Sequence, residues 1–507
     1  MNTKRYIYDA LYGKIYLDPV VWEVFSSPEL QRLREVRLCN INSLCLTGGA
    51  NINRFEHAIG TVYLAQQCLE DWPLVTEHER KIFLLAALFH DAANAAFGHS
   101  LEYILSSDGY NPEKGFKSAI TGSEKDEENF RYKNAAYENF FFGVKRGLSD
   151  KITDAEFDEI SAIIRGEGKF GKLINGTIDL DNIDNVYRLA YHIGLIGKTD
   201  TPLKLAKSMW TERNKLIIKD GSNALIEEWY KVRKNLYLLL LENPEEFSAK
   251  CMLSEVVELE RRYEDTYESS YKWTNTDYEV LEMLKKLPNK ELEFIETEEE
   301  LKEFNDELSL KKYIKEKYKK YELIDAHKWC AYKDSKKIYY TLHEGRVNKK
   351  VCVTKIFTPA RTIEKLVLGR LWPCIAIFST KQTDYYKQLL DFDNKTLIEL
   401  KINRQPLLHK YNYKVSIHPI LDINKTERKI SLLTESGKTI NVGNSTHQLL
   451  IGVFINNDRY HITDFPIKAN LLKAINKEIK DFFIDEIQDE NLGELELYSE
   501  VNKIVEI

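Results

Sequence analysis

The sequence predicts a mainly α protein: an all-helical N-terminal domain, a charged helical connector and an α+β C-terminal domain. Three observations carry that expectation. Apolar residues recur at helical spacing through much of the first half. Between Glu264 and Lys320 the chain turns strongly charged and helix-favouring, and beyond it β-branched and aromatic runs alternate with polar turns. At 507 residues the chain exceeds the size at which one core stops growing, so the expected division is 1–263, 264–325 and 326–507.

The elements follow in order. Residues 5–17 are rich in Tyr and Ile around Gly13, which suggests a short hairpin. Asp18-Pro19 and Ser27-Pro28 are helix starts, the second helix carrying Gln31, Arg32, Arg34 and Arg37. Those arginines are either a solvated face or phosphate ligands, and spacing leaves both open. Asn53 to Glu70 reads as a helix with His57 near its start and Arg54 three residues earlier on the same face. A further helix, Glu77 to Phe89, ends in His90-Asp91, followed by the small residues of AANAAFGH up to His99. Residues 106–133 read as a long loop, and KNAAYENFFFGVKRGL and DAEFDEISAIIRG as helices.

Asp179, Asp181 and Asp184 follow in TIDLDNID, where Asp181 and Asp184 can share a face, one ligating and the other orienting a neighbour. The structural alternative is a cluster of helix caps. A helical pair is expected from Leu216 to Arg262, broken at Pro244 and carrying Arg233. Beyond the connector, KKIYYTLH, KKVCVTKIF, CIAIFST, TLIELKI, YKVSIHPIL, RKISLLTE and LLIGVFI have strand character, and KANLLKAINKEIKDFF reads as a helix packed on them. The histidines of this half are too dispersed to form a site.

An apolar fraction of 43% and a charged fraction of 30% describe a soluble globular protein. A net charge of -7 argues against a protein coated by nucleic acid and leaves nucleotides open as ligands. Seven cysteines without a C-x-x-C pair indicate neither a disulfide framework nor a zinc ribbon. The N-terminus lacks the apolar core of a signal peptide, and runs such as FLLAALF are too short to span a bilayer. The expectation is a cytoplasmic protein without membrane contact.

Burying an imidazole beside a carboxylate is costly unless a charge compensates. His57, His90-Asp91 and Asp181 form an ordered H…HD…D set of two imidazoles and two carboxylates on separate expected helices. Such a mixed N/O site suits Mn, Mg, Fe or Zn and leaves positions for water and a phosphate oxygen. A divalent ion there lowers the pKa of water and neutralises charge on a phosphoryl group, which suits phosphoester or phosphoanhydride hydrolysis.

DALYGKIYLDP, SSPELQRLREVRL, NRFEHAIGTVYLA, ALFHDAANAAFGHS and IDLDNIDNVYRLAYHIG occur in one order. On these motifs the first half resembles the HD-domain phosphohydrolases, most closely the SAM-and-HD-domain-like deoxynucleoside triphosphate triphosphohydrolases. The resemblance implies His57, His90, Asp91 and Asp181 as metal ligands, with His90 and Asp91 central to catalysis. It places Arg54, His99 and Arg233 at substrate phosphates, and Leu38 and Asn185 at positions that touch the nucleoside. It also implies a nucleotide substrate and a homo-oligomer, leaves a nucleotide activator open, and suggests a role in nucleotide-pool control or antiphage defence.

Several positions depart from the family pattern. Asn94 stands where the family has a histidine after the HD pair, and Asn134 falls near a further family histidine, so Glu138 or Tyr137 becomes the candidate proton donor. Asn182, Asn185 and Leu189 replace Lys, Tyr and Asp, and Ser26 replaces an acidic residue that reads an activating guanine nucleotide in vertebrate relatives. Two other readings therefore stay open: a phosphodiesterase or nuclease acting on a signalling nucleotide or single-stranded nucleic acid, and a degenerate nucleotide-binding regulatory module.

Overall fold

A computed structural model describes residues 5–38, 51–70, 72, 75–98, 116–117, 148, 151–263, 275–300, 304, 306–317, 321–325, 328–333, 336–343, 346–403, 414–455, 473–481 and 496–499. The fold is mainly α, with an α+β C-terminal region.

The chain opens on a hairpin of β1 (Tyr6–Asp9) and β2 (Gly13–Tyr16), in which Ile15 faces the core and Tyr8 faces solvent. The following short helices, Pro19–Val24 and Pro28–Arg32, begin as their sequences require. Asp18 and Ser27 accept from the Val20 and Leu30 amides, and a proline occupies the first helical position of each.

Three helices build the centre of this half. Arg54–Glu70 packs against both Glu77–Phe89 and Leu180–His192, and Asp154–Ile164 covers the other side of Glu77–Phe89. Phe83 through Phe89 are all buried, as befits a helix apolar on every side and enclosed by its neighbours. Thr76 and Glu79 close a capping box at its start.

The expected helical pair begins later than its pattern suggested. Lys215–Ile218 is a strand, β4, that turns back on β3 (Met209–Glu212), with Arg213 and Asn214 in left-handed conformation at the turn. The helices are Asn223–Glu242 and Pro244–Tyr263, broken at Pro244 as expected.

The span read as a helical connector is only partly helical. Asp277–Lys285 and Glu307–Lys317 are helices, but Lys290–Glu300 is a strand, β5. Leu292 and Phe294 alternate into the core there, a period-two signal that the density of glutamates hid. β5 is the edge of a sheet ordered β5-β9-β8-β7-β6, with β6 Tyr321–Asp325, β7 Lys328–Lys333, β8 Lys336–His343 and β9 Arg346–Phe357.

A second sheet is ordered β11-β14-β10-β15, from β10 (Cys374–Thr380), β11 (Val415–Ile423), β14 (His447–Ile455) and β15 (Glu496–Ser499). TLIELKI, expected as a strand, lies within the helix Phe392–Asn403. The buried residues are Phe392, Lys395, Thr396, Ile398, Glu399 and Ile402, most of which recur three and four apart as on one helix face. Residues 473–481 of KANLLKAINKEIKDFF are helical.

The remaining four-stranded sheet crosses from one half to the other. Its order is β13-β12-β4-β3, with β12 Ile430–Thr434 and β13 Thr439–Val442, and β4 runs parallel to β12 with Ile217 opposite Leu433. One hydrophobic cluster accordingly extends from Leu11 to Phe454. No helix among the described residues is long and apolar enough to cross a membrane.

Candidate metal centre

The three central helices deliver three side chains to one point. His57 comes from the first turn of Arg54–Glu70, His90 from the C-cap of Glu77–Phe89 and Asp181 from the first turn of Leu180–His192. Their ligand atoms all lie within 4.8 Å of one another. His57 Nε2 is 3.0 Å from Asp181 Oδ1 and 3.1 Å from His90 Nε2, and His90 Nε2 is 3.5 Å from the same carboxylate oxygen. Asp91 stands beside them, its Oδ2 3.8 Å from His57 Nε2 and 3.7 Å from His90 Nε2. Asp181 is the solvent-facing member, with a third of its side chain exposed.

The tautomers follow from what holds the other ring nitrogens. His57 Nδ1 is 2.7 Å from Asp184 Oδ2, and that carboxylate already accepts from Arg188 Nε, Arg188 Nη2 and the Tyr12 hydroxyl. A fourth partner must also donate, so His57 carries its proton on Nδ1 and presents a lone pair at Nε2. His90 Nδ1 donates to the Ala87 carbonyl at 2.9 Å, leaving its Nε2 in the same state. Two imidazole lone pairs and two carboxylates thus face each other at about van der Waals separation. They repel unless a cation or bound protons occupy the space between, and the donor set fits a divalent ion held by nitrogen and oxygen.

The electrostatics express the same demand for positive charge. Burial favours neutral His90, but Asp91 and Asp181 outweigh it and push its pKa up to about 10. Burial alone would raise the Asp91 carboxyl, yet Arg54, followed by His90 and His57, holds it at about 2.

Arg54, expected one turn before His57, lies at the edge of the cluster, its Nη1 2.5 Å from Asp91 Oδ2. Asn94 donates from Nδ2 to Asp91 Oδ1 at 2.6 Å, so it orients a carboxylate where a histidine was expected. Leu38 is core rather than surface: it is buried, and its amide donates to Ile52 O. Asn185 lies on the Asp181 helix, and its Oδ1 finds no hydrogen-bond donor among the described residues. Arg233 is buried and donates to the carbonyls of Lys425 and Asn424, so its guanidinium is engaged by a turn of the C-terminal half. His99, Asn134, Tyr137 and Glu138 lie outside the described residues.

Asp184 is the orienting partner expected beside Asp181, but the sequence did not reveal what holds Asp184 itself. Arg188 donates to Asp184 and to Asp9 Oδ2, all three buried, and Tyr12 closes the network from the hairpin. The one available signal was Gly60 inside an otherwise ordinary helix. A Cβ there would lie 2.0 Å from Asp184 Oδ1 and 2.2 Å from Arg188 Nη2.

Residues 54–169 match the HD domain family model. The chain is 27% identical over 259 residues to an uncharacterised protein of Methanocaldococcus jannaschii, covering 50% of this chain and 49% of that one, so it spans about half the length of this curated relative. It is 32% identical over 109 residues to the deoxynucleoside triphosphate triphosphohydrolase SAMHD1 of Homo sapiens, covering 20% and 17%. A crystal structure of a phosphohydrolase from Bacteroides thetaiotaomicron shares the fold, with a TM-score of 0.50, 14% identity, and coverage of 89% of this chain and 99% of that one. Residues 54–169 thus match the HD domain in sequence, within a fold shared with a phosphohydrolase of known structure.

Proposed function

We propose that the protein is a metal-dependent phosphohydrolase that splits a deoxynucleoside triphosphate into deoxynucleoside and triphosphate. The convergence of His57, His90, Asp91 and Asp181 on one small volume, with Arg54 at its edge, carries this reading. A divalent ion in that volume supplies Lewis-acid charge and lowers the pKa of water. The residues supply the rest. Asp184 and the Ala87 carbonyl fix both imidazoles, Asn94 and Arg54 fix Asp91, and Asp181, the most exposed of the four, marks the side from which a phosphate approaches. Arg54 Nη1 lies against Asp91, close enough to the cluster to meet developing phosphate charge.

Asn94 spends its amide on Asp91 and is no acid, so we assign the leaving-group proton to Glu138, with His99 at the phosphates; Arg233 joins them only by leaving the Lys425 and Asn424 carbonyls that now hold it. The human relative named as a deoxynucleoside triphosphate triphosphohydrolase supports the substrate class. Assembly into a homo-oligomer, response to an activating nucleotide, and a role in nucleotide-pool control or defence against phage belong to the same proposal.

A second reading has one specific observation in its favour. Leu38 and Leu189, at positions expected to read the nucleoside, are both buried in the core. A phosphodiesterase or nuclease would not need them. Incubation with Mn or Mg and a panel of dNTPs, NTPs, cyclic dinucleotides and single-stranded DNA separates the readings. Triphosphate release that disappears in His90→Ala plus Asp91→Ala supports the first, and release of monophosphates or oligonucleotides supports the second. Nucleotide affinity without turnover under any metal leaves a binding module.

A further inference from the structure

The turn that follows the HD pair is held in part by a residue beyond the matched HD segment. Asp277, the first residue of the helix Asp277–Lys285, is buried, and its two carboxylate oxygens take two backbone amides from opposite sides of the site. Oδ1 accepts from Phe97 N at 2.7 Å and Oδ2 from Arg37 N at 3.0 Å.

Both amides lead to Arg54. Phe97 is left-handed, with φ of 57°, an uncommon conformation for a residue with a Cβ that needs an outside hold. Gly98 follows at φ of 42°, and a Cβ on it would lie 2.1 Å from Arg54 Nη2, so the guanidinium is seated on bare backbone. On the other side, Arg37 forms an antiparallel bridge with Asn53, and the Arg54 amide donates to Val36 O at 2.8 Å. One carboxylate therefore grips the segment under the Arg54 guanidinium and the segment under its backbone. Two positions upstream, the Asn275 carbonyl accepts from Arg32 Nη1 at 3.0 Å. The other arm of that fully buried arginine donates to Ala92 O at 3.3 Å and to Asn94 O, within the turn that follows His90-Asp91.

We propose that Asp277 is a positioning residue for Arg54: by capping Phe97 and Arg37 it holds the guanidinium on Asp91, in line for the substrate's phosphates. The phosphate part rests on the functional reading above. Asparagine is the informative replacement, because it offers one acceptor oxygen where two donors must be met and leaves one amide facing an NH2 group.

The test uses the full chain loaded with Mn2+ and has two arms. In the first, hydrogen exchange is followed at residues 92–98 and 53–55 in the wild type and in Asp277→Asn, with Mn2+ affinity as the control for folding. The expected result is faster exchange in both stretches together with Mn2+ affinity kept to within about tenfold, since Asp277 bonds to the Phe97 and Arg37 amides and reaches the ligand Asp91 only through Arg54. Unchanged exchange in both stretches overturns the proposal. If Asp277→Asn fails to retain Mn2+, Gly98→Ala serves instead, perturbing the same seat from the other side.

In the second arm, inorganic triphosphate is titrated onto the Mn2+-loaded protein. Asp277→Asn is expected to weaken binding about tenfold, and the double variant with Arg54→Ala is expected to be no weaker than Arg54→Ala alone, with Asp277→Glu restoring part of the loss. Additive losses overturn the link to Arg54. Should the wild type bind no triphosphate, the functional reading fails, while the exchange result still decides whether Asp277 holds the turn.

Discussion

At the scale of single residues, the site depends on side chains that never touch a ligand. Asp184 is the strongest case: saturated by Arg188 and Tyr12, it forces His57 to donate from Nδ1. Asp184→Asn is expected to lower Mn2+ affinity about 10- to 100-fold, measured by calorimetry, while the protein stays folded. Gly60→Ala drives a methyl into that same carboxylate and is expected to cost about 1–3 kcal/mol in denaturant unfolding. The ligand candidates were legible from the sequence because His57, His90-Asp91 and Asp181 sit at helix ends that apolar periodicity locates. Asp9, Tyr12 and Arg188 were not, because the bonds joining Tyr12 to Asp184 and Arg188 to Asp9 span 172 and 179 positions, and no local pattern signals such pairs.

The pH dependence belongs to this scale as well. With Asp91 and Asp181 overcoming burial, His90 in the ion-free protein holds its proton up to about 10. Unfolded, an imidazole titrates near about 6.5. The folded pKa is raised, so this contribution to stability is complete below about 6.5 and is lost as the pH climbs through about 10. A divalent ion must displace that proton, so Mn2+ affinity is expected to rise about tenfold per pH unit between about 6.5 and 8.5. Affinity that stays flat over that range contradicts the proton assignment.

At the scale of elements, helices with a chemical start signal are placed where the sequence puts them. Thr76, Thr153 and Thr276 each close a capping box with a glutamate three residues on. Thr153→Ala is expected to lower stability by about 1 kcal/mol without changing Mn2+ affinity, because its helix packs behind the histidine helix and supplies no ligand. The misread elements share a cause. KELEFIETEEE is dominated by glutamates that favour helix locally, yet Leu292 and Phe294 gain burial only as a strand paired with Arg346–Phe357. TLIELKI alternates like a strand, but the Phe392–Asn403 helix buries residues three and four apart. In both, tertiary partners outweigh a local preference worth less than about 1 kcal/mol per residue.

At the scale of the whole molecule, the candidate metal centre does not stand apart from the C-terminal half. β4 pairs with β12, Arg428 donates to Thr177 O just before the Asp181 helix, and Arg233 is held by the Asn424-Lys425 turn. The family match ends at residue 169, so nothing in the HD motifs announces these contacts. They become visible only when the strands after residue 415 are folded against the hairpin before residue 219. A chain cut after residue 263 is expected to lose both cooperative thermal unfolding and Mn2+ binding, since it strips β12 from β4 and uncovers Ile217 and Ile218. The central claim is that His57, His90, Asp91 and Asp181 together hold a divalent ion, and calorimetric titration of the full chain with Mn2+ tests it most directly. Stoichiometric binding by the wild type, lost in His90→Ala plus Asp91→Ala, is the predicted result; equal binding by the two proteins, or none by the wild type, contradicts it.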